Sequence, residues 1–296
     1  ATRFSHARDN RYINTYSSGR WAAIGTATCV SYLLDLSVEQ TMYALSNAWV
    51  LSPTMIGGAT DVSTGSMSKE GVAWATQSGL QSALLAKNGF VGPYLFVDEH
   101  DDFHTHMLLN DLGTGWLINS NYFKPYACCR WLHSAASACE FLKAEYSFNL
   151  KDITSIEIDI FGRAIKLVSS VFPENPVQAQ FHVPFIVANM LLFNHVLPEH
   201  FTMENLKNQT IRNLISKTTL IEKKTYNDRF PEKVPSAVTI KTNNHSHKKE
   251  VLTAPWGAVC QPTDEELLAK FIMQAGLSRK PTWEAIMSGN GVLDID

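Results

Sequence analysis

Hydrophobic and polar positions alternate along this chain in two different periods, and the change of period divides it. Trp21 to Leu34 is rich in Ala, Ile, Val and Leu, with small residues on several faces. Such a stretch predicts a helix packed against other helices. Ser37-Val38-Glu39-Gln40 matches a capping box, in which the Ser and Gln side chains each take up one backbone N–H. It predicts a second helix running to about Trp49. Pro53 to Ser68 is rich in Gly, Ser and Thr and reads as a loop. A third helix is predicted from about Gly71 to Lys87, ending at Asn88-Gly89, and a shorter one near Asp98 to Met107. The opening, as far as Arg20, is polar and irregular.

Farther on the period shortens. Ile156, Ile158 and Ile160 interleave with Glu157 and Asp159, the period of two that a strand requires. Val177 to Asn194 reads as one helix, and Thr202 to Ser216 contains another. Ala237 to Thr242 reads as a strand, with Lys249 to Thr253 as its hairpin partner across the polar turn Asn243 to Lys248. Thr263-Asp264-Glu265-Glu266 is a second capping box and opens a helix through Phe271 and Ala275, and Pro281 to Glu284 starts a short final helix. Helices, then mixed elements, then helices predict a mainly α fold with an inserted α+β domain. The expected division is a helical domain over 1–120, an α+β domain over 121–255, and helices over 256–296 that return to the helical domain.

Composition narrows the function. The formal charge of −3 argues against a general nucleic-acid binder, so any anion site is local. No run of about twenty apolar residues predicts a membrane span. Five cysteines with no CxxC, two of them the adjacent Cys128 and Cys129, give no disulfide framework. They point to a reduced compartment, cytoplasmic or mitochondrial. The sequons at Asn208 and Asn244 are then chance matches. The N-terminal ATRFSHARDN fits no signal peptide. With no initiator Met, it is expected to begin inside a longer polypeptide.

The chemistry concentrates in Phe123 to His133, FKPYACCRWLH. Within roughly three helical turns it holds an ammonium, a phenol, two thiols, a guanidinium and an imidazole. Lys and Arg hold carboxylates, and a group beside them can move a proton. Pro125 cannot sit inside a helix, so the segment reads as a loop entering a helix N-terminus, where an anion also meets the helix dipole. The competing reading is a basic loop capping a structural helix with two packed cysteines. Lys124 and Arg130 would lower a neighbouring thiol's pKa and make Cys128 or Cys129 a candidate nucleophile.

Other motifs are weaker. Gly65 to Gly71 lacks the Gly-Lys-Ser/Thr ending of a phosphate loop, and no GxSxG elbow occurs. His100, His104 and His106 stand among Asp98, Glu99, Asp101 and Asp102, yet their spacing matches no named zinc motif.

FKPYACCRWLHSAASA resembles the Lys-x-Tyr-Pro-x-Cys-Arg-x-x-His-x-Ala segment of the MmgE/PrpD family, which includes 2-methylcitrate dehydratase. Four further segments resemble the family's in order: Gly19 to Gly25, Ala73 to Pro93, Ala179 to Phe185, and Pro262 to Phe271. The resemblance implies a helical domain plus an α+β lid, with the active site in the cleft between them. It implies a homodimer and cofactor-independent, metal-free chemistry on a polycarboxylate. For this chain that is dehydration of a citrate-like acid by α-proton abstraction and loss of water. By the same resemblance Lys124 holds a carboxylate or assists proton transfer, Arg130 anchors another carboxylate, and Cys129, Tyr126 and His133 line the site. Tyr16 stands where the family has a catalytic His, and the family's Lys before its Ala-rich helix falls at Ser68 or Lys69. Decarboxylating relatives place a His at the position of Cys129, which favours dehydratase or epimerase. Family members also carry an N-terminal helical segment ahead of anything in this sequence. Besides dehydration, the alternatives are an isomerase, epimerase or cyclase on the same fold, and a non-catalytic subunit completed by another chain.

Overall fold

The computed structural model describes residues 1–7, 19–52, 62, 65–68, 71–94, 103–257 and 260–288. They group into two compact units, Ala1–Ser120 and Asn121–Asp296.

The first unit is helical: α1 (Thr2–His6), α2 (Gly19–Leu33), α3 (Val38–Leu51), α4 (Val72–Lys87) and α5 (Thr105–Leu109). Helix α1 falls in the stretch read as irregular. Arg3 pins it, donating to the Asn110 carbonyl at 2.8 Å, the Gly115 carbonyl at 2.7 Å and the Asp111 carboxylate at 2.9 Å. Three of these five helices pack on one another through small side chains. Ala23 and Ala27 of α2 form a buried cluster with Ala48 of α3 and Ala75 of α4. At Gly79 the approach is closest, since a Cβ there would lie 2.3 Å from the Ala23 carbonyl oxygen and 2.7 Å from Thr26 Cβ. A second buried cluster gathers Trp21, Trp49 and Phe103, with Trp49 and Phe103 edge to face at 5.0 Å. Gly79→Val is expected to cost roughly 2–3 kcal/mol by overpacking. Urea denaturation reads this against Gln77→Val, at an exposed position of the same helix. Equal midpoints for the two variants would mean that α2 and α4 do not meet at Gly79.

The second unit runs α6 (His133–Glu145), β1 (Ile153–Ile160), α7 (Gly162–Ile165), α8 (Pro176–Ala179), α9 (Val183–Phe193), α10 (Met203–Leu206), α11 (Gln209–Ser216), β2 (Thr218–Glu222), α12 (Lys224–Asn227), β3 (Ser236–Thr242), β4 (Ser246–Val251), α13 (Asp264–Ala275) and α14 (Lys280–Ser288). The four strands form one mixed sheet in the order β2-β1-β3-β4, with β1 parallel to β2 and antiparallel to β3. Ile156, Ile158 and Ile160 of β1 join Val238 and Ile240 of β3 in one core with α6 and α9. Helix α9, apolar on all sides, is buried from Val183 to Leu191, as such a helix must be. Asp159, the one acid of β1 that is buried, is satisfied by Lys248 at 2.8 Å and by Lys223 at 3.6 Å.

Three expectations need correction. The helix read as continuous from Val177 to Asn194 breaks at 180–182, where His182 caps α9 by accepting from the Phe185 N–H at 3.1 Å. The hairpin turn is shorter than read, with β4 starting at Ser246, because Thr242 pairs with the His245 carbonyl. Of residues 256–296, expected to return to the helical domain, those described fall in the second unit. There Gln261 donates to the Asn121 carbonyl at 3.4 Å, and Lys270 donates to the Lys124 carbonyl. No helix among the described residues is long and apolar enough to cross a membrane.

Candidate active site

Lys124 and Pro125 lie in an irregular stretch that bends over 125–128, where the proline disfavours a helix. Backbone bonds then fix the path: Ala127 donates to the Val196 carbonyl and Cys129 to the Gln180 carbonyl, both at 2.9 Å. The chain makes one 3₁₀ turn, Arg130–Leu132, and enters α6 at His133. The loop leading into a helix N-terminus is therefore present.

Arg130 is bracketed on several sides. Its guanidinium carbon lies 3.6 Å from the centre of the Tyr122 ring, and Nη1 donates to the carbonyls of Pro255 at 3.3 Å and Phe123 at 3.5 Å. Partial burial pulls its pKa below the usual guanidinium value, yet an arginine remains a cation in a protein. With Nη1 occupied by two carbonyls, Nε and Nη2 make the edge that can fork onto a carboxylate.

Lys270 is the member that reading the sequence for chemistry did not select. It comes from α13, 146 positions away, and its ammonium donates to the Lys124 carbonyl. Its Nζ lies 5.9 Å from the centre of the Trp256 ring. Burial, and then the charge of Lys124, push its pKa below the ordinary lysine value. Among the described residues Lys124, Arg130 and Lys270 form no ion pair with a carboxylate. Three cations that all act on His133, none paired to a carboxylate among the described residues, raise the local potential in a protein whose net charge is negative.

His133 registers all three. It is fully buried, and its pKa falls to about 3, mainly through burial and then through the charges of Lys124 and Arg130, with Lys270 adding a smaller push. Its Nε2 faces the Cys128 carbonyl at 3.4 Å, and its Nδ1 has no hydrogen-bond partner among the described residues. At neutral pH it is an uncharged imidazole in the core rather than an exposed acid. Tyr126 stacks edge to face on it at 5.1 Å and donates its hydroxyl to Glu140 at 2.6 Å. Burial and the Glu140 charge push that phenol's pKa upward. The lowered thiol pKa expected for Cys128 is overturned: burial and neighbouring Cys129 drive it up, outweighing the opposite pull of Lys124. Cys128 is a packing residue. Cys129 is half-buried beside it.

Tyr16 and Lys69 lie outside the described residues, as do Asp98 to Asp102 of the histidine-acid run. The structure thus brings together Lys124, Tyr126, Cys129, Arg130 and His133 and adds Lys270. A sequence signal for Lys270 exists, since it lies in the Pro262 to Phe271 segment that resembles the family's.

Two family models match the chain, the MmgE/PrpD N-terminal domain over residues 2–112 and the MmgE/PrpD C-terminal domain over residues 126–282. Among curated proteins the chain is similar to the cis-aconitate decarboxylase-like protein oryM of Aspergillus oryzae (strain ATCC 42149 / RIB 40). It is 24% identical over 269 residues, covering 83% of this chain. The chain spans about half, 55%, of that relative's length.

Proposed function

The chain belongs to the MmgE/PrpD family, and on that premise we propose that its second unit binds a citrate-like tricarboxylate and that the protein eliminates water from it without a cofactor. The observation that carries this reading is the group of Lys124, Arg130 and Lys270 around the start of α6, with no carboxylate paired to them among the described residues. Arg130 takes one carboxylate on its Nε/Nη2 edge, and Lys124 takes a second. As the C–H next to a bound carboxylate gives up its proton, its electron pair moves into that carboxylate, and the two cations stabilise the growing charge. Lys270, whose pKa burial and then the Lys124 charge lower, accepts the proton. The electron pair then forms the C=C bond as the C–O bond breaks, and Lys270 returns the proton to the departing hydroxide as water.

The name of the Aspergillus relative favours a second reading, loss of carbon dioxide from an unsaturated tricarboxylate. Both readings share the ligand class and differ in the bond broken. Incubation with citrate, 2-methylcitrate and isocitrate, followed by C=C absorbance, tests the first. Carbon dioxide release from cis-aconitate tests the second. Dehydration without decarboxylation is the expected result; carbon dioxide release alone would replace the first reading with the second, and inertness toward all four acids would remove both.

A further inference from the structure

Four non-glycine residues among those described have positive φ, and three of them, Asp35, Asp111 and Asn194, are types whose short polar side chains tolerate it. The fourth is Trp256, at φ 55°, a conformation a bulky side chain rarely adopts and keeps only when its surroundings impose it. The neighbours of Trp256 show what the conformation achieves. Pro255 on one side offers its carbonyl to Arg130 Nη1 at 3.3 Å. Gly257 on the other side lies so near the same guanidinium that a Cβ there would stand 2.9 Å from Nη2. The Trp256 ring meanwhile lies 5.9 Å from the Lys270 ammonium. One short turn therefore touches two of the three cations, which come from different elements and share no bond with each other.

We propose that the Pro255–Gly257 turn is a positioning element, holding the Arg130 fork against one carboxylate of the ligand and Lys270 Nζ beside the adjacent C–H whose proton it takes. This rests on the carboxylate reading above. The left-handed backbone at Trp256 is what lets one turn reach both cations. A relaxed, extended residue 256 would swing either the Pro255 carbonyl or the indole away. Gly257 matters because a Cβ there would stand 2.9 Å from Nη2 and the guanidinium would have to shift to admit it, and Trp256 because its ring faces the lysine.

The test is calorimetric titration of the full chain at pH 7 with tricarballylate, a tricarboxylate that has no hydroxyl to lose. Gly257→Ala is expected to weaken binding at least tenfold, and Trp256→Leu three- to tenfold, with Trp256→Phe recovering most of the second loss. Because Gly257 acts through Arg130, Gly257→Ala in an Arg130→Ala background should change binding less than twofold. A merely structural role would give the same loss in both backgrounds, and that result overturns the proposal. So does unaltered binding by Gly257→Ala and Trp256→Leu. If the wild-type chain does not bind tricarballylate, the carboxylate reading falls and takes this one with it. Circular dichroism melting accompanies each variant. Should Gly257→Ala fail to fold, the Trp256 pair decides: equal binding by Trp256→Leu and wild type overturns the proposal.

Discussion

Arg130→Ala is expected to lower kcat/KM on the active tricarboxylate by about 10²–10³-fold, the loss of two charge-assisted hydrogen bonds at roughly 1.5–3 kcal/mol each with some compensation by water. Arg130→Lys should restore less than a tenth of it. An ammonium is a point donor, and it cannot hold the carbonyls of Pro255 and Phe123 while presenting a fork to the ligand. Lys270→Ala should act differently. If Lys270 moves the proton, kcat falls by roughly 10²–10⁴-fold, well beyond the roughly three- to tenfold loss of affinity that displacing its side chain from the ligand brings. Steady-state kinetics on the substrate found in the screen separates the two patterns. An Arg130→Ala enzyme within threefold of wild type would remove the guanidinium from the site. A Lys270→Ala enzyme that loses only affinity would leave Lys270 as a binding cation and return proton transfer to another residue.

Why the site was half legible follows from the range of the interactions that build it. Both capping boxes close within four residues: Ser37 with Gln40, and Thr263 with Glu266. Their helix starts could be read from sequence because nothing distant decides them. Lys124, Arg130 and His133 are legible as neighbours for the same reason, lying within one loop and one turn. Lys270 was passed over as chemistry because its role depends on a bond spanning 146 positions. Strand β2 was missed altogether. Thr218 to Glu222 has no buried member and becomes a strand only by pairing with β1, from Ile156↔Thr218 to Ile160↔Glu222. The break before α9 was missed because its cap is an imidazole, outside the usual Ser, Thr, Asp and Asn set. Burial decided the thiols. The sequence places two cations near Cys128, but desolvation of a fully enclosed sulfur exceeds the opposing pull of Lys124.

The same desolvation sets the acid stability of the second unit, and here the expected effect is large. His133 and His182 both lie in its core, with pKa values drawn down from 6.5 to about 3 and about 4. Burial is the main cause at both. At His133 the charges of Lys124 and Arg130 add to it, and at His182 the backbone bonds to Ser170 and Val171 oppose it. A histidine whose folded pKa is depressed stays neutral in the native state while the unfolded chain takes up its proton. The stabilising contribution is therefore complete above about pH 6.5 and is lost as pH falls toward 4 at His182 and toward 3 at His133. At pH 4.5, two units below the unfolded value, each residue has withdrawn roughly 2–3 kcal/mol, and the pair about 5. Typical domain stabilities are roughly 5–15 kcal/mol, so the second unit should unfold near pH 4–5. His182→Asn keeps a capping acceptor for α9 without a titrating group, and it should flatten the fall of stability with pH by about one proton. Arg130→Ala should also move the acid midpoint downward, because it removes one of the charges that holds His133 neutral. Urea titrations from pH 7 to pH 4 measure both. An acid midpoint that neither variant shifts would mean that carboxylates, not these two imidazoles, control acid unfolding.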